Sequence, residues 1–258
     1  AAYTQFALCR EMMETPGIIR KFRFDNAVKP VADEIREAGR LFFTGEGSSR
    51  IFPAKNAMAH ALKTGFMFHL ATEGGRQANE YDLQDFAVFA ASNSGRTKEI
   101  IYLLDRLRAA GHKHLYGLTA SPKTKLEQLA HKTFVLSCGG EDAVAATKSV
   151  AEQALFYQLL LSQIQGRQVS AKLGELAAAF EKALAVEIDP KIVVAIAKAE
   201  TIYFAGRNDG VAEELTLKTN EITRKKSDYL EGTYAVHGIE EVMTPRDVVI
   251  FIEPFAAE

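Results

Sequence analysis

Residues 92–97 read Ser-Asn-Ser-Gly-Arg-Thr, so Ser92, Ser94 and Thr97 gather three hydroxyls around Gly95, with Asn93 among them. Such donors serve an anion best at a helix start, where the first turn has unpaired N–H groups and the positive end of the helix dipole. Residues 86–91, just before, are apolar without alternation, the pattern of a strand buried on both faces. Just after, Ile100, Ile101, Leu103, Leu104 and Leu107 fall at helical spacing. A strand, a hydroxyl-rich turn and a helix start together make a phosphate cradle, with Gly95 letting the backbone approach closely. The competing assignment is a plain helix cap by Ser94 or Thr97. The turn lacks the Gly-Lys-Ser/Thr ending of a P-loop, which argues against a nucleoside triphosphate.

A second turn of the same design, Gly-Glu-Gly-Ser-Ser at residues 45–49, brings Gly47, Ser48 and Ser49 to the start of a helix through Lys63, closed by Gly65 and capped by Ser49. By itself the Gly45-x-Gly47 pair is a weak sign, because tight packing uses such turns too. Two other places could move protons. Lys218 and Glu221 stand three apart in a helical run and share a face. Exposed, they are an ordinary ion pair; partly enclosed, Glu221 with a raised pKa would be a base. His237, beside Gly238, is either a proton carrier near neutral pH or a structural hydrogen-bonding residue. His60, His69, His112, His114 and His131 have no acidic or cysteine pattern around them, so no metal site is expected. Arg224, Lys225 and Lys226 read as a solvated helix end that could also help hold an anion.

The elements that must position these groups alternate. Strands are expected at residues 40–44, 67–72, 86–91, 113–119 and 132–137, with helices at 28–38, 49–63, from 98 onward, 124–130 and 143–165. Alternation implies parallel pairing with right-handed crossovers, hence an α/β fold with a doubly wound parallel five-stranded sheet. Ligands of such sheets sit at the carboxyl ends of the strands, where both turns lie. Residues 1–24 form a helical lead-in, with Pro16 as a break or first turn. Residues 25–166 are then the first lobe. An amphipathic helix at 170–185, a helix opened by Pro190, a strand at 201–205, a helix from 211 to about 225 and a strand at 248–252 follow. "TIYFAGRNDG" echoes "RLFFTGEGSS", so residues 185–258 are expected to restart the same fold as an incomplete second lobe.

Composition bounds the function. The 258 residues are 47% hydrophobic and 25% charged with net charge −2, which argues against broad nucleic-acid binding. Cys9 and Cys138 alone make no disulfide framework, so a reducing, cytoplasmic setting is expected. No apolar run reaches membrane-spanning length and no signal-peptide pattern opens the chain.

Residues 92–97 resemble the Ser-x-Ser-Gly-x-Thr phosphate loop of SIS (sugar isomerase) domains. The wider chain is similar to the isomerase half of glucosamine-6-phosphate synthase and to stand-alone phosphosugar isomerases and deglycases. Residues 11–16 resemble the lead-in of that half, 143–153 its Val-Ala-Ser-Thr-Lys helix start, 214–222 its Glu-x-x-x-Lys-x-x-Glu-Ile helix, and His237-Gly238 its His-Gly pair. The resemblance implies a flavodoxin-like SIS lobe and a substrate-binding set of Gly47, Ser48, Ser49, Ser92, Asn93, Ser94, Thr97, Ala145 and Ala146. It implies aldose–ketose isomerisation of a sugar phosphate through an enediol, without metal or organic cofactor. Glu221 would be the base, Lys218 would steady the enediolate, and His237 would open the sugar ring across the interface of a homodimer. The alternatives are a deglycase or deaminase acting on a phosphorylated amino sugar or fructosamine, and a non-catalytic sugar-phosphate-binding regulator. Departures are Ala146 in place of the family serine, Ile239 in place of the proline after His-Gly, and an extra residue in the loop at 229–236. No glutaminase domain and no C-terminal tail bearing an imine-forming lysine are expected.

Overall fold

The computed structural model describes residues 3–167 and 172–255. The chain divides into two compact units, Ala1–Glu181 and Lys182–Glu258.

The first unit starts with helices α1 (Ala7–Lys21) and α2 (Val28–Ala38), then alternates β1 (Arg40–Gly45), α3 (Ile51–Lys63), β2 (His69–Gly74), α4 (Gly75–Ala78), β3 (Ala87–Ala91), α5 (Lys98–Ala109), β4 (Leu115–Thr119), α6 (Lys125–Leu129), β5 (Lys132–Val135) and α7 (Lys148–Ile164). Its five strands pair in parallel in the order β2-β1-β3-β4-β5. Strand period two sends side chains to both faces, and both are covered. Leu41, Phe43, Phe89, Tyr116 and Leu118 pack with residues of α2, α3 and α7 on one face. Phe42, Val88, Ala90 and Leu115 pack with Ala78 and with α5 and α6 on the other. This is the expected doubly wound α/β sheet. Fully burying a side chain the size of Phe89 contributes about 1.5–3 kcal/mol, so the continuous apolar strands dictate the layering.

Some boundaries differ from the sequence expectation. The lead-in helix runs unbroken through Pro16. The second strand begins two residues late and extends to Gly74. Ser49 does not cap α3: residues 47–49 form a 3-10 turn, and the N-cap is Arg50, with no side-chain cap. Within the expected helix at 170–185, α8 covers Leu173–Leu184, and Ser170 lies outside the described residues.

The second unit contains α9 (Pro190–Lys198), β6 (Thr201–Gly206), α10 (Val211–Thr223), β7 (Lys226–Glu231) and β8 (Val248–Phe251). Its parallel strands run β7-β6-β8, the arrangement of β2-β1-β3 in the first unit. The strand β7 was not anticipated. Lys226, Asp228 and Glu231 make it read as a polar loop, yet an edge strand tolerates such charges, and Tyr229 and Leu230 still pack inward on opposite faces. The basic run at 224–226 is therefore a helix end only at Arg224, the C-cap of α10. Arg224 sits at φ +60 after α10, Lys225 Nζ donates to the Ala199 carbonyl at 2.9 Å, and Lys226 opens β7. No helix among the described residues is long and apolar enough to cross a membrane.

At the amino edge of the first sheet, buried His112 donates from Nε2 to Leu83 O (2.9 Å) while its Nδ1 accepts the His114 N–H (3.2 Å). Accepting at Nδ1 fixes the neutral form, with Nε2–H as donor to Leu83. Burial is the main cause that lowers the His112 pKa, and His131, whose Nδ1 accepts the Leu115 N–H, is lowered likewise. The folded protein thus binds fewer protons here than the unfolded chain does. This contribution to stability is complete above the unfolded histidine value of about 6.5 and drains away as pH falls below it. The thermal unfolding midpoint is expected to drop between about pH 7 and 5.5, and less steeply in His112→Gln, as scanning fluorimetry across pH would show.

Candidate functional site

Strand β3 delivers the hydroxyl-rich turn. Ser92, 1% exposed, extends the ladder by donating its N–H to Leu118 O at 3.0 Å. The turn closes through Gly95 N–H to Ser92 O (2.9 Å). It is pinned from β4 by the Thr119 hydroxyl and the Ala120 N–H, both donating to Asn93 O at 3.1 Å, and from α6 by the Leu126 N–H donating to Gly95 O at 3.1 Å. Gly95 has φ +60, and a Cβ there would lie 2.3–2.5 Å from the Thr124 side chain, so both backbone conformation and space demand glycine. Thr124 is itself held by a capping box with Glu127.

Neither hydroxyl caps α5. Thr97 is its N-cap residue without a side-chain cap; its Oγ1 lies 2.7 Å from Ser92 Oγ, which also accepts the Thr97 N–H at 3.4 Å. Exposed Ser94 accepts the Arg96 N–H at 3.3 Å. The cap assignment therefore fails, and the start of α5 keeps its first-turn N–H groups without a capping side chain.

The turn after β1 lies next door, because β1 and β3 pair directly, Thr44 opposite Ala90. Gly47 has φ +52, Ser48 is buried, and Ser49 O accepts Gln153 Nε2 at 2.6 Å, tying the turn to α7.

The expected helix at 143–165 begins only at Lys148. Residues 137–147 form a strap of turns and bends leading into α7, and carboxylates take the backbone N–H groups of Ser137, Cys138, Asp142, Ala143 and Thr147 in place of helical carbonyls. Buried Glu152 accepts the N–H groups of Ser137 (2.9 Å) and Cys138 (2.8 Å). Buried Glu11 on α1 accepts those of Asp142 (2.6 Å) and Ala143 (3.2 Å). Glu141 accepts the N–H (2.7 Å) and hydroxyl (2.8 Å) of Thr147. Hydrogen bonds to a charged acceptor are about twice as strong as neutral ones, so helix propensity of the Ala-rich stretch loses. Lys148 anchors the strap by an ion pair to Glu14 at 2.8 Å, whose hydrogen bond raises the lysine pKa. Asn93 Nδ2 donates to buried Ser149 Oγ at 2.6 Å, joining the hydroxyl-rich turn to the start of α7.

Turn and strap enclose a hollow of about 250 Å³ lined by Asn93, Ser94, Ser121, Glu141, Ala143 and Ala146. Ala145 is buried and does not line it. A wider depression of about 420 Å³ lies at the amino edge, near Arg40, Lys113 and His114. Parallel sheets bind ligands at their carboxyl ends, so the smaller hollow is the candidate.

Glu221 and Lys218 belong to the second unit. Their ion pair is real: Nζ to Glu221 Oε2 is 3.0 Å. Lys218 also faces Glu214 at 3.4 Å, one turn back. Glu214 and Lys218 side chains are 11% and 16% exposed, whereas Glu221 is 33% exposed, making Glu221 the carboxylate open to a ligand. His237 is exposed just after the 3-10 turn Tyr234–Val236, with Gly238 at φ +108 behind it. Among the described residues no hydrogen bond or ion pair joins His237 to Glu221 or Lys218.

Sequence reasoning missed Glu11, Glu141, Glu152 and Ser149, whose partners are distant or lie in a stretch that reads as helix. Thr124 was legible, since Thr-x-x-Glu at 124–127 is a capping-box signature.

Residues 34–163 match the family model of the SIS domain. The glutamine–fructose-6-phosphate aminotransferase of Listeria innocua is 25% identical over 255 residues, covering 90% of this chain and 42% of that protein. The chain thus spans less than half the length of the curated relatives it matches. Among solved structures, a tagatose-6-phosphate ketose/aldose isomerase from Escherichia coli superposes with TM-score 0.77 at 18% identity, over 97% of this chain and 74% of that one. A glucosamine-6-phosphate deaminase from Thermotoga maritima does so with TM-score 0.72 at 20% identity, over 95% and 76%. These likenesses show the fold.

Proposed function

This chain belongs to the SIS domain family, and on that footing we propose that it binds a sugar phosphate and interconverts its aldose and ketose forms. The observation that carries this reading is the turn at residues 92–97: pinned by β4 and α6, opening on the hollow through Asn93 and Ser94, and leading into an uncapped helix start. The phosphate sits there, with Gly47, Ser48, Ser49, Ala145 and Ala146 shaping the adjoining walls. Aldose–ketose conversion moves a proton between adjacent carbons through an enediol, which calls for a base. Glu221 takes that role, Lys218 steadies the enediolate while holding Glu221, and His237 assists ring opening. Exposure of His237 suits a group given to a partner's site in a homodimer. The second unit is read as a further lobe of the same kind, a reading its β7-β6-β8 order supports.

The test is a panel of hexose and hexosamine 6-phosphates, scored for ketose–aldose interconversion and for ammonia release. Interconversion without ammonia supports isomerisation; ammonia from a hexosamine phosphate moves the assignment to a deaminase; binding without turnover leaves a sensor. In the same assays Ser94→Ala/Thr97→Ala is expected to weaken sugar-phosphate binding by roughly 2 kcal/mol, about thirtyfold, through loss of hydroxyl donors to a charged group. Circular dichroism should show the fold intact, since both residues lie on a turn. Unchanged affinity in that folded variant removes the phosphate assignment.

A further inference from the structure

The hydroxyl of Ser149 has no water to turn to, since the residue is 0% exposed. It has two partners: Asn93 on one side and the Glu141 carboxylate on the other. A carboxylate accepts and does not donate, so the single Ser149 proton goes to Glu141. Ser149 Oγ is then an acceptor towards Asn93, and the Asn93 amide must present its NH₂ group to it. Asn93 Oδ1 is the atom left over, on a residue that lines the hollow.

We propose that Glu141 is a positioning residue that, through Ser149, fixes the polarity of Asn93, so that the site offers a ligand hydroxyl an acceptor and not a donor. The ligand half of this proposal rests on the sugar-phosphate reading; the orientation of Asn93 stands on the protein alone. Phosphate has acceptors to satisfy, whereas sugar hydroxyls have protons to place. The relay therefore acts on the sugar and leaves the phosphate to the backbone and hydroxyl donors of the turn.

Glu141→Gln tests this with little change of shape. Its amide oxygen can still accept the Thr147 N–H, while its NH₂ group donates to Ser149. The Ser149 proton then turns to Asn93 and the Asn93 amide flips. In proton–nitrogen correlation spectra of the free protein, the Asn93 side-chain amide pair, assigned by its loss in Asn93→Asp, should be protected from solvent exchange. It should lose that protection in Glu141→Gln, and also in Ser149→Ala, which leaves the Glu141–Thr147 clamp untouched. By calorimetry, fructose 6-phosphate should bind Glu141→Gln about tenfold more weakly, and inorganic phosphate by less than about twofold. An Asn93 amide unmoved by both substitutions overturns the relay. Parallel weakening of both ligands makes Glu141 a mere clamp and overturns its role in specificity. If the amide responds as described but wild-type protein binds inorganic phosphate and no sugar phosphate, the relay holds and the sugar-phosphate reading falls.

Discussion

Glu221→Gln is expected to lower turnover by about a hundredfold to ten-thousandfold, the usual share of a general base. The substitution keeps the side chain's shape and a hydrogen bond to Lys218, whose Nζ lies 3.0 Å from Glu221 Oε2. It removes only the capacity to take a proton. Affinity for the sugar phosphate should change little, because in the proposed site the turn at 92–97, and not α10, holds the anion. A drop in kcat at constant KM is the pattern of an interaction made in the transition state. Glu214→Gln is the control: its side chain faces the same lysine at 3.4 Å but is 11% exposed, so it should affect folding more than proton transfer. His237→Ala should penalise a cyclic substrate more than an open-chain analogue, since its proposed task is ring opening. Exchange of the substrate's C1 or C2 hydrogen with deuterated water reads the step directly. Wild-type exchange in Glu221→Gln means the enediol does not form through Glu221, and the Lys218 pair is structural.

The layering of the first unit was legible because local pattern and burial agree there. Residues 86–91 can be apolar on both sides only if helices cover both faces, and the helical spacing after Arg96 supplies one of them. The turn at 92–97 was legible for the same reason: hydroxyls and glycine follow a buried strand directly. What escaped was decided by side chains remote in sequence. Ala143 to Thr147 has helix-forming composition, and nothing local shows that Glu11, more than a hundred residues earlier, and Glu141 will take its N–H groups. Strand β7 escaped because its charges reflect an edge position, which depends on β6 being central. The Lys218–Glu221 pair was visible as spacing, but spacing alone says nothing of exposure, and exposure is what separates Glu221 from Glu214.

Gly95→Ala should destabilise the first unit by about 4 kcal/mol, measured as a shift in the denaturant midpoint. Two costs add. Alanine at φ +60 pays about 1–2 kcal/mol for the left-handed conformation. The new methyl would also lie 2.3–2.5 Å from three atoms of Thr124, and overpacking of that kind costs about 1–3 kcal/mol. Thr124 cannot swing aside without breaking its capping box with Glu127, and Leu126 N–H to Gly95 O, 3.1 Å, holds the turn against α6. Thr124→Gly separates the two costs. That change removes a buried side chain and its capping box, so alone it should cost about 1–2 kcal/mol. Combined with Gly95→Ala it removes the three atoms nearest the methyl but leaves the backbone conformation strained. In the Thr124→Gly background, Gly95→Ala should therefore cost only about half of what it costs in the wild type, a coupling that a double-mutant cycle measures. No cost in that background would mean that the positive φ costs nothing and the glycine serves only close packing. An undiminished cost would mean that the backbone alone demands glycine. A wild-type midpoint in Gly95→Ala would show that the turn does not pack on α6 at all, and the pinned cradle, with the anion site built on it, would have to be abandoned.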